Sequence, residues 1–311
     1  MGEKDIAEKT FIDLNDVFAD IVNVLIFKGK QIIHEDSLRD LNGTSQFKAD
    51  ETKIHEQERD VFKLWQGYGI NLVLFGVENQ TEPNKDMPFR VISYDGASYK
   101  SQLLRVTKRL VNGKIKNVRC KERYPVITMV LYFGETKKWS YPTNLIDCFN
   151  PKLPYNEITA VIRNYISDYK INVFDIGAMT MEDAAMFKSD FREVAEHFIK
   201  VRNDHKYVAS ERSIVHVDEF LKLMSVLTGS REYEEKINCF SEEDKKKGRV
   251  TMCVIMQSRY EEGIREGESR GAIQGKTEAI VSLVQEGLIS NEVGAQRLNM
   301  SLEEFDALLQ A

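Results

Sequence analysis

The sequence predicts an α/β core followed by a helical appendage. Three short apolar runs, at residues 70–77, 124–133 and 171–176, are hydrophobic on both alternating faces, as strands buried inside a sheet are. Helical patterns surround them, at 13–27, from Asp86 onward and across most of 181–226. The order helix, strand, strand, helix, strand, then mostly helices is that of an α/β core.

With 311 residues and 42% apolar content, the chain can bury one sizeable core plus a smaller module. Its longest uncharged apolar stretch, 125–134, is half of the roughly twenty residues a membrane-spanning helix needs, so no membrane partner is expected. The N-terminal Met-Gly-Glu-Lys-Asp shows no secretory pattern. Four scattered cysteines, none at metal-ligand spacing, read as reduced thiols in a cytoplasmic protein, and scattered histidines exclude an evident zinc site. Net charge is −6, but residues 100–123 hold nine basic residues and one acid, +8 locally, which leaves −14 on the rest. Such a segment is either a phosphate-binding stripe or a solvated helix face with a charged loop.

In the 13–27 helix, Val17, Phe18, Ile21, Val22 and Leu25 form an apolar face, Asp13, Asp16, Asp20 and Asn23 a polar stripe, and Gly29 the stop. Residues 34–58 lack periodicity and read as a loop with local turns. Residues 59–65 fit a strand or a short helix, and Gln66-Gly67-Tyr68-Gly69 a turn. The strand from Ile70 is expected to stop at Glu78-Asn79-Gln80. Asp86 with Pro88 then opens a helix expected to run to about Val111, with Gly113 as its stop.

The tail differs. Residues 252–275 are charged and helical, with Gly263, Gly267, Gly271 and Gly275 on one stripe, each costing about 1 kcal/mol. That stripe suits a close helix–helix seam or a labile connector. Patterns at 278–286, 290–298 and 301–309, the last two with Ser290 and Ser301 as N-caps, make a small unit that is either helix-turn-helix-like or a packing and oligomerisation module. The third is acidic, which disfavours major-groove reading.

Chemistry concentrates at Glu78 and Gln80. Two residues apart on a strand, they share a face, and a hydrophobic strand has no packing use for an acid at its end. Asp60, in the preceding segment, and Asp20, on the first helix, add two carboxylates. Three such groups can hold one or two Mg²⁺ (or Mn²⁺) ions, which polarise a phosphoryl oxygen and acidify a bound water. The bland alternative is that Glu78 begins a surface loop.

The stretch from Asn71, NLVLFGVENQTEPNKDMPFRVISYDGASYKSQL, resembles the core of the Rpn family of recombination-promoting nucleases, transposase-like members of the PD-(D/E)XK superfamily. The residues that carry the likeness are G-x-E-x-Q, M-P-x-R with a Tyr-containing helix, Arg59-Asp60-Val61, the 18–23 helix and the 125–134 strand with Trp139. Residues 273–309 look like the family's C-terminal end, so the resemblance covers nearly the whole chain. It implies a restriction-endonuclease-like core, a mixed sheet flanked by helices, with a mostly helical C-terminal region. The expected divisions are 1–177 nuclease-like, 178–250 a helical extension and 251–311 the tail.

The resemblance also implies a metal-dependent endonuclease acting on DNA, linked to recombination or mobile elements. Asp60 and Glu78 would bind metal and Asp20 would contact it through water. Gln80 stands where the superfamily has lysine and can only hydrogen-bond. Lys63 could substitute for that lysine only if strand alternation did not turn it away. Arg90 and Tyr94 share a helix face and would touch phosphate or each other; Tyr99 and Gln102 carry the same ambiguity. Arg105, Lys108 and Arg109 would continue the basic stripe onto the DNA backbone. Rival readings are a nucleic-acid-binding protein with a weakened site and an oligomeric regulatory protein, a homo-oligomer through its tail.

Overall fold

The computed structural model describes residues 3–41, 44–50, 53–58, 61–67, 69–111, 114–149, 157–203 and 209–309. The chain forms two compact units, Met1–Thr251 and Met252–Ala311.

The first unit opens with α1 (Glu3–Ile12) and α2 (Asn15–Leu25). In α2 the predicted apolar face is buried, and Lys28 and Gly29 end the turn in the left-handed region (φ 53° and 82°). Its polar stripe is not a solvent face. Asn23 is buried and fastens the following loop: its Nδ2 donates to Ile33 O (2.8 Å) and its Oδ1 accepts from the backbone N–H groups of Ile32 and Ile33 (3.0 and 2.9 Å).

The expected loop at 34–58 instead carries β1 (Leu38–Asp40), β2 (Thr44–Asp50) and β3 (Lys53–Glu58), the last two paired as an antiparallel ribbon. These strands contain few apolar residues, so no hydrophobic alternation marks them. Next come β4 (Val61–Gly67) and β5 (Ile70–Gln80), which settles the strand-or-helix ambiguity, with Gly69 at φ 76° between them. Then follow α3 (Met87–Leu104), β6 (Val106–Val111), β7 (Lys114–Arg119), β8 (Val126–Tyr132), α4 (Glu157–Arg163) and β9 (Asn172–Asp175). The main sheet has the order β1-β4-β5-β8-β9. Its first two pairings are antiparallel and its last two parallel.

The helix expected to reach Val111 stops at Leu104. Arg105 turns extended, and residues 106–119 form the antiparallel β6–β7 ribbon. The β-branched residues Val106, Thr107, Val111, Ile115 and Val118, with Asn-Gly between the two runs, are hairpin signals that outweigh helical continuation.

The sheet's two faces are different worlds. One carries Lys63, Phe75 and Met129 against α2 and α6 (Phe191–Arg202). Phe18 meets Phe75 with ring centroids 6.5 Å apart, and Phe133 meets Phe198 at 5.5 Å. Lys63 is fully buried there, donating to Asn15 Oδ1 (2.8 Å) and pairing with Asp13 (3.0 Å) and Asp40. The opposite face is covered by α3, whose Met87 and Val91 pack on Val130 and Ile171. A polar seam runs beside this apolar contact. The buried Asp95 carboxylate accepts from Thr128 Oγ1 (2.6 Å) and from Tyr169 OH; Tyr99 OH accepts from Val126 N (3.1 Å); Gln102 exchanges two hydrogen bonds with the Tyr124 backbone (3.0 and 2.7 Å).

The helices expected across 181–226 are α5 (Met181–Ala185), α6 and α7 (Val217–Thr228), followed by α8 (Glu232–Glu235) and α9 (Glu242–Lys246). Phe220 of α7 packs edge-on to Phe11 of α1, with centroids 6.2 Å apart. His216 Nε2 lies 2.8 Å from Asp16 Oδ2.

The second unit contains α10 (Met252–Gln285), α11 (Asn291–Leu298) and α12 (Leu302–Leu309). The patterns at 252–275 and 278–286, read apart in the sequence, form the one continuous helix α10. Ser290 caps α11, and Ser301 and Glu304 form a reciprocal capping box before α12. Ile280, Ala295 and Phe305 form the core, and a Cβ on Gly294 would meet Phe305 Cζ at 2.6 Å. A Cβ at Gly271 or Gly275 would meet open space.

Asp95→Ala should lower the unfolding free energy by about 2–3 kcal/mol, because it strands the buried Thr128 hydroxyl and the half-buried Tyr169 hydroxyl; urea denaturation reads this directly. A second expectation concerns pH. The hydrogen bond from Asp16 raises the His216 pKa, with Asp190 and Glu219 adding in the same direction. A raised histidine contributes stability that is full below its unfolded value, near about 6.5, and is lost as pH rises through the folded value. The stability advantage of wild type over His216→Gln should therefore be largest at mildly acidic pH and shrink above neutrality. A pH-independent difference would assign the pair to a neutral hydrogen bond.

Candidate active site

The strand from Ile70 ends at Gln80, within the expected stop at Glu78-Asn79-Gln80, and β8 pairs with it to that point: Glu78 lies opposite Val130 and Gln80 opposite Tyr132. Glu78 and Gln80 are thus strand residues on the α3 face, as the two-residue spacing requires. Glu78 is only 2% exposed. Arg90, in the first turns of α3, reaches it: Nη2 is 3.3 Å from Glu78 Oε2 and 3.3 Å from Tyr94 OH, and the guanidinium lies 5.9 Å from the Tyr94 ring centroid. Pro88 at the helix start and the 90/94 spacing put both side chains over the strand end. Arg90 is 38% exposed and its bond to Glu78 is long, so solvent screens the pair and the guanidinium also faces outward.

The structure thus brings Glu78, Arg90 and Tyr94 together, with Gln80 next along the same strand face. The Gln80 side chain donates to Asn79 O (2.7 Å) and carries no charge. Lys63 stands on the opposite face, held by Asn15, Asp13 and Asp40, as alternation predicts, so it does not stand in for a lysine at Gln80. Asp60 lies outside the described residues. Its chain neighbour Val61 pairs with Val77, the residue before Glu78.

Asp20 is not brought to Glu78. It belongs to α2, on the other face of the sheet, where its Oδ2 accepts from the backbone N–H groups of Lys188 (2.8 Å) and Ser189 (2.7 Å) and from Ser189 Oγ (2.7 Å). A cavity of about 470 Å³ opens on that side, lined by Asp16, Asp20, Asn23, Glu35, Asp36 and Ser189 among others. Among the described residues no group of three His, Cys, Asp or Glu side chains is arranged to hold a metal.

The ambiguity at Tyr99 and Gln102 resolves toward structure, since both bond to the backbone at the start of β8. Arg105 and Lys108 are exposed beyond the end of α3, Lys108 on β6. Arg109 faces Lys116 in the ribbon register, with its side chain outside the described residues. Sequence reasoning missed Asp95. The available signal was a polar residue on the stripe Met87, Val91, Asp95, Ser98 and Gln102, all buried, where an acid needs a partner.

No helix among the described residues is long and apolar enough to cross a membrane. No curated protein and no solved structure matches the chain. A family model described as "Putative transposase, YhgA-like" matches residues 51–227, which takes in the Glu78 strand, α3, the basic ribbon and the helices through α7; α2 with Asp20 and the tail fall outside that span. With more than half of its length matched around this site, the chain belongs to the YhgA-like transposase family.

Proposed function

We propose that the chain is a metal-dependent endonuclease of the PD-(D/E)XK type that hydrolyses phosphodiester bonds in DNA, in the service of recombination or mobile-element transfer. The observation that carries this reading is Glu78, a buried glutamate at the end of a central strand, facing Arg90 and Tyr94 on the helix that crosses over to the next parallel strand. The succession of the antiparallel β4–β5 pair, α3 and parallel β8 supports a PD-(D/E)XK core. Family membership supports DNA as the partner.

The donors present fit a hard cation. Glu78 would be one oxygen ligand, and Asp60, outside the described residues, would be a second. Mg²⁺ is commonly held by one or two carboxylates, with water and substrate phosphate completing its shell. When bound, Mg²⁺ or Mn²⁺ supplies charge at the phosphoryl oxygen and a more acidic water. The chain's residues do the rest. Arg90 pairs with Glu78 and offers its exposed edge to a phosphate oxygen, while Tyr94 holds the guanidinium plane. Gln80 can orient a water by hydrogen bonding but lends it no positive charge, so turnover should be slower than with lysine. Asp20 acts as a scaffold for the segment before α6.

Glu78→Gln removes a charge and little volume. Plasmid nicking with Mg²⁺ should fall by about 10²–10³ or more, with the thermal melt and duplex binding retained. Asp60→Ala should behave alike, and Ca²⁺ or EDTA should silence the wild type. Cleavage at the wild-type rate by folded Glu78→Gln would remove Glu78 from the site. A wild type that binds DNA without ever nicking it would favour the weakened-site alternative that Gln80 raises. Arg90→Lys keeps the charge but loses the planar fork, and should cut the rate by about tenfold to a hundredfold.

A further inference from the structure

The β6–β7 ribbon stands apart from the main sheet, as the β2–β3 ribbon does. It pairs only with itself, and every side chain described in it is exposed except Thr107 and Val118. A two-stranded ribbon with both faces in water is marginal by itself. At its far end Leu110 and Ile115 are cross-strand partners, 74% and 73% exposed. On the same face sit Lys108 and, beside the base, Arg119; Lys114 and Lys116 lie on the other. Residues 105–121 contain no acid at all, and among the described residues no carboxylate pairs with Lys108, Lys114, Lys116 or Arg119. Two large apolar side chains therefore stand at the end of a cationic prong, attached to a body that carries the opposite sign.

We infer that this ribbon is a duplex-DNA-gripping arm whose Leu110–Ile115 pair wedges against the base stack from the minor groove while its cations hold the flanking phosphates. The inference rests on the nuclease reading for the identity of the polymer. Apolar wedges of this kind unstack a base step and kink the duplex, and the gain is the extra surface that the bent DNA contacts. The charge favours DNA over a second copy of the chain, since ribbon-to-ribbon contact would bring two strongly positive segments together. Geometry fixes the reach. From Arg90 to Arg105, α3 rises about 22 Å, close to the length of six base pairs. The base of the arm therefore lies about that far along α3 from Arg90, and the wedge is expected at a step offset from the bond cut at Glu78.

The test uses the full chain in EDTA, where cutting is silent, with a labelled duplex carrying 2-aminopurine at successive steps, and plasmid nicking with Mg²⁺ in parallel. Wild type should brighten 2-aminopurine at a step offset from the cut site, and duplexes trimmed on that side should bind weakly. Leu110→Ser with Ile115→Ser should abolish the brightening and weaken binding about tenfold or more, with an unchanged salt dependence. Lys108→Ala with Arg119→Ala should instead lower the slope of log K against log salt by about two.

Wild-type affinity and brightening in the Leu110/Ile115 variant would overturn the inference. So would a variant that changes only the sedimenting mass or only the binding to anionic vesicles, which would make the prong a self-association or membrane surface. Nicking that depends on Glu78 but ignores the ribbon would leave the nuclease standing without this arm. Ribbon-dependent DNA binding with no nicking would do the reverse.

Discussion

A single buried carboxylate sets the geometry on which the candidate site depends. Asp95, near the middle of α3, accepts hydrogen bonds from Thr128 on β8 and from Tyr169 ahead of β9. A helix lying on a sheet can slide along its axis at little cost if only apolar contacts hold it, because dispersion and burial are not directional. Hydrogen bonds are directional, and leaving Asp95 unpaired would be expensive. Asp95, Tyr99 and Gln102 therefore lock α3 against β8 at three points. With the helix so fixed, Arg90 can only fall opposite the end of β5, where Glu78 waits.

The division of the sheet into two faces follows the same economy of buried charge. On the α2 side one ammonium, Lys63, is surrounded by Asn15, Asp13 and Asp40. On the α3 side one carboxylate, Glu78, meets one guanidinium. In the first the cation is fully buried and its carboxylate partners reach solvent. The second keeps a half-open cation and a strand end that faces outward. Stability and chemistry have been assigned to opposite sides of the same five strands, and Asp20, whose Oδ2 is held by the Ser189 segment, lies on the stabilising side.

Much of this was legible from the residues alone. Strands β5, β8 and β9 were visible because each is apolar on both faces, although β9 lies at the edge of the sheet, α2 because Val17, Phe18, Ile21, Val22 and Leu25 recur at helical spacing, and the Glu78–Gln80 and Arg90–Tyr94 relations because side-chain direction follows from spacing. The misreadings have physical causes. The ribbon at 106–119 buries little, and the strands within 44–58 hold few apolar residues, so neither leaves a periodic trace. Asp20 looked like a candidate ligand because a pattern gives the helix but not the face of the sheet on which that helix packs. The partners of Asp95, at Thr128 and Tyr169, lie 33 and 74 residues away, a range over which spacing says nothing.

The position of the β6–β7 ribbon in the chain has a consequence for how such proteins diversify. It is inserted in the crossover between two parallel strands, after α3 has been anchored and before β8 begins. Its two ends are held together at the base, where Cys120 N donates to Arg105 O (2.9 Å). Lengthening or replacing what lies between would shift no register in the main sheet, and doubling a flexible connection adds only about 0.6 kcal/mol of closure cost. The segment is thus an exchangeable cassette, whose sequence can drift toward new targets while the strand, helix and carboxylates beneath it stay unchanged.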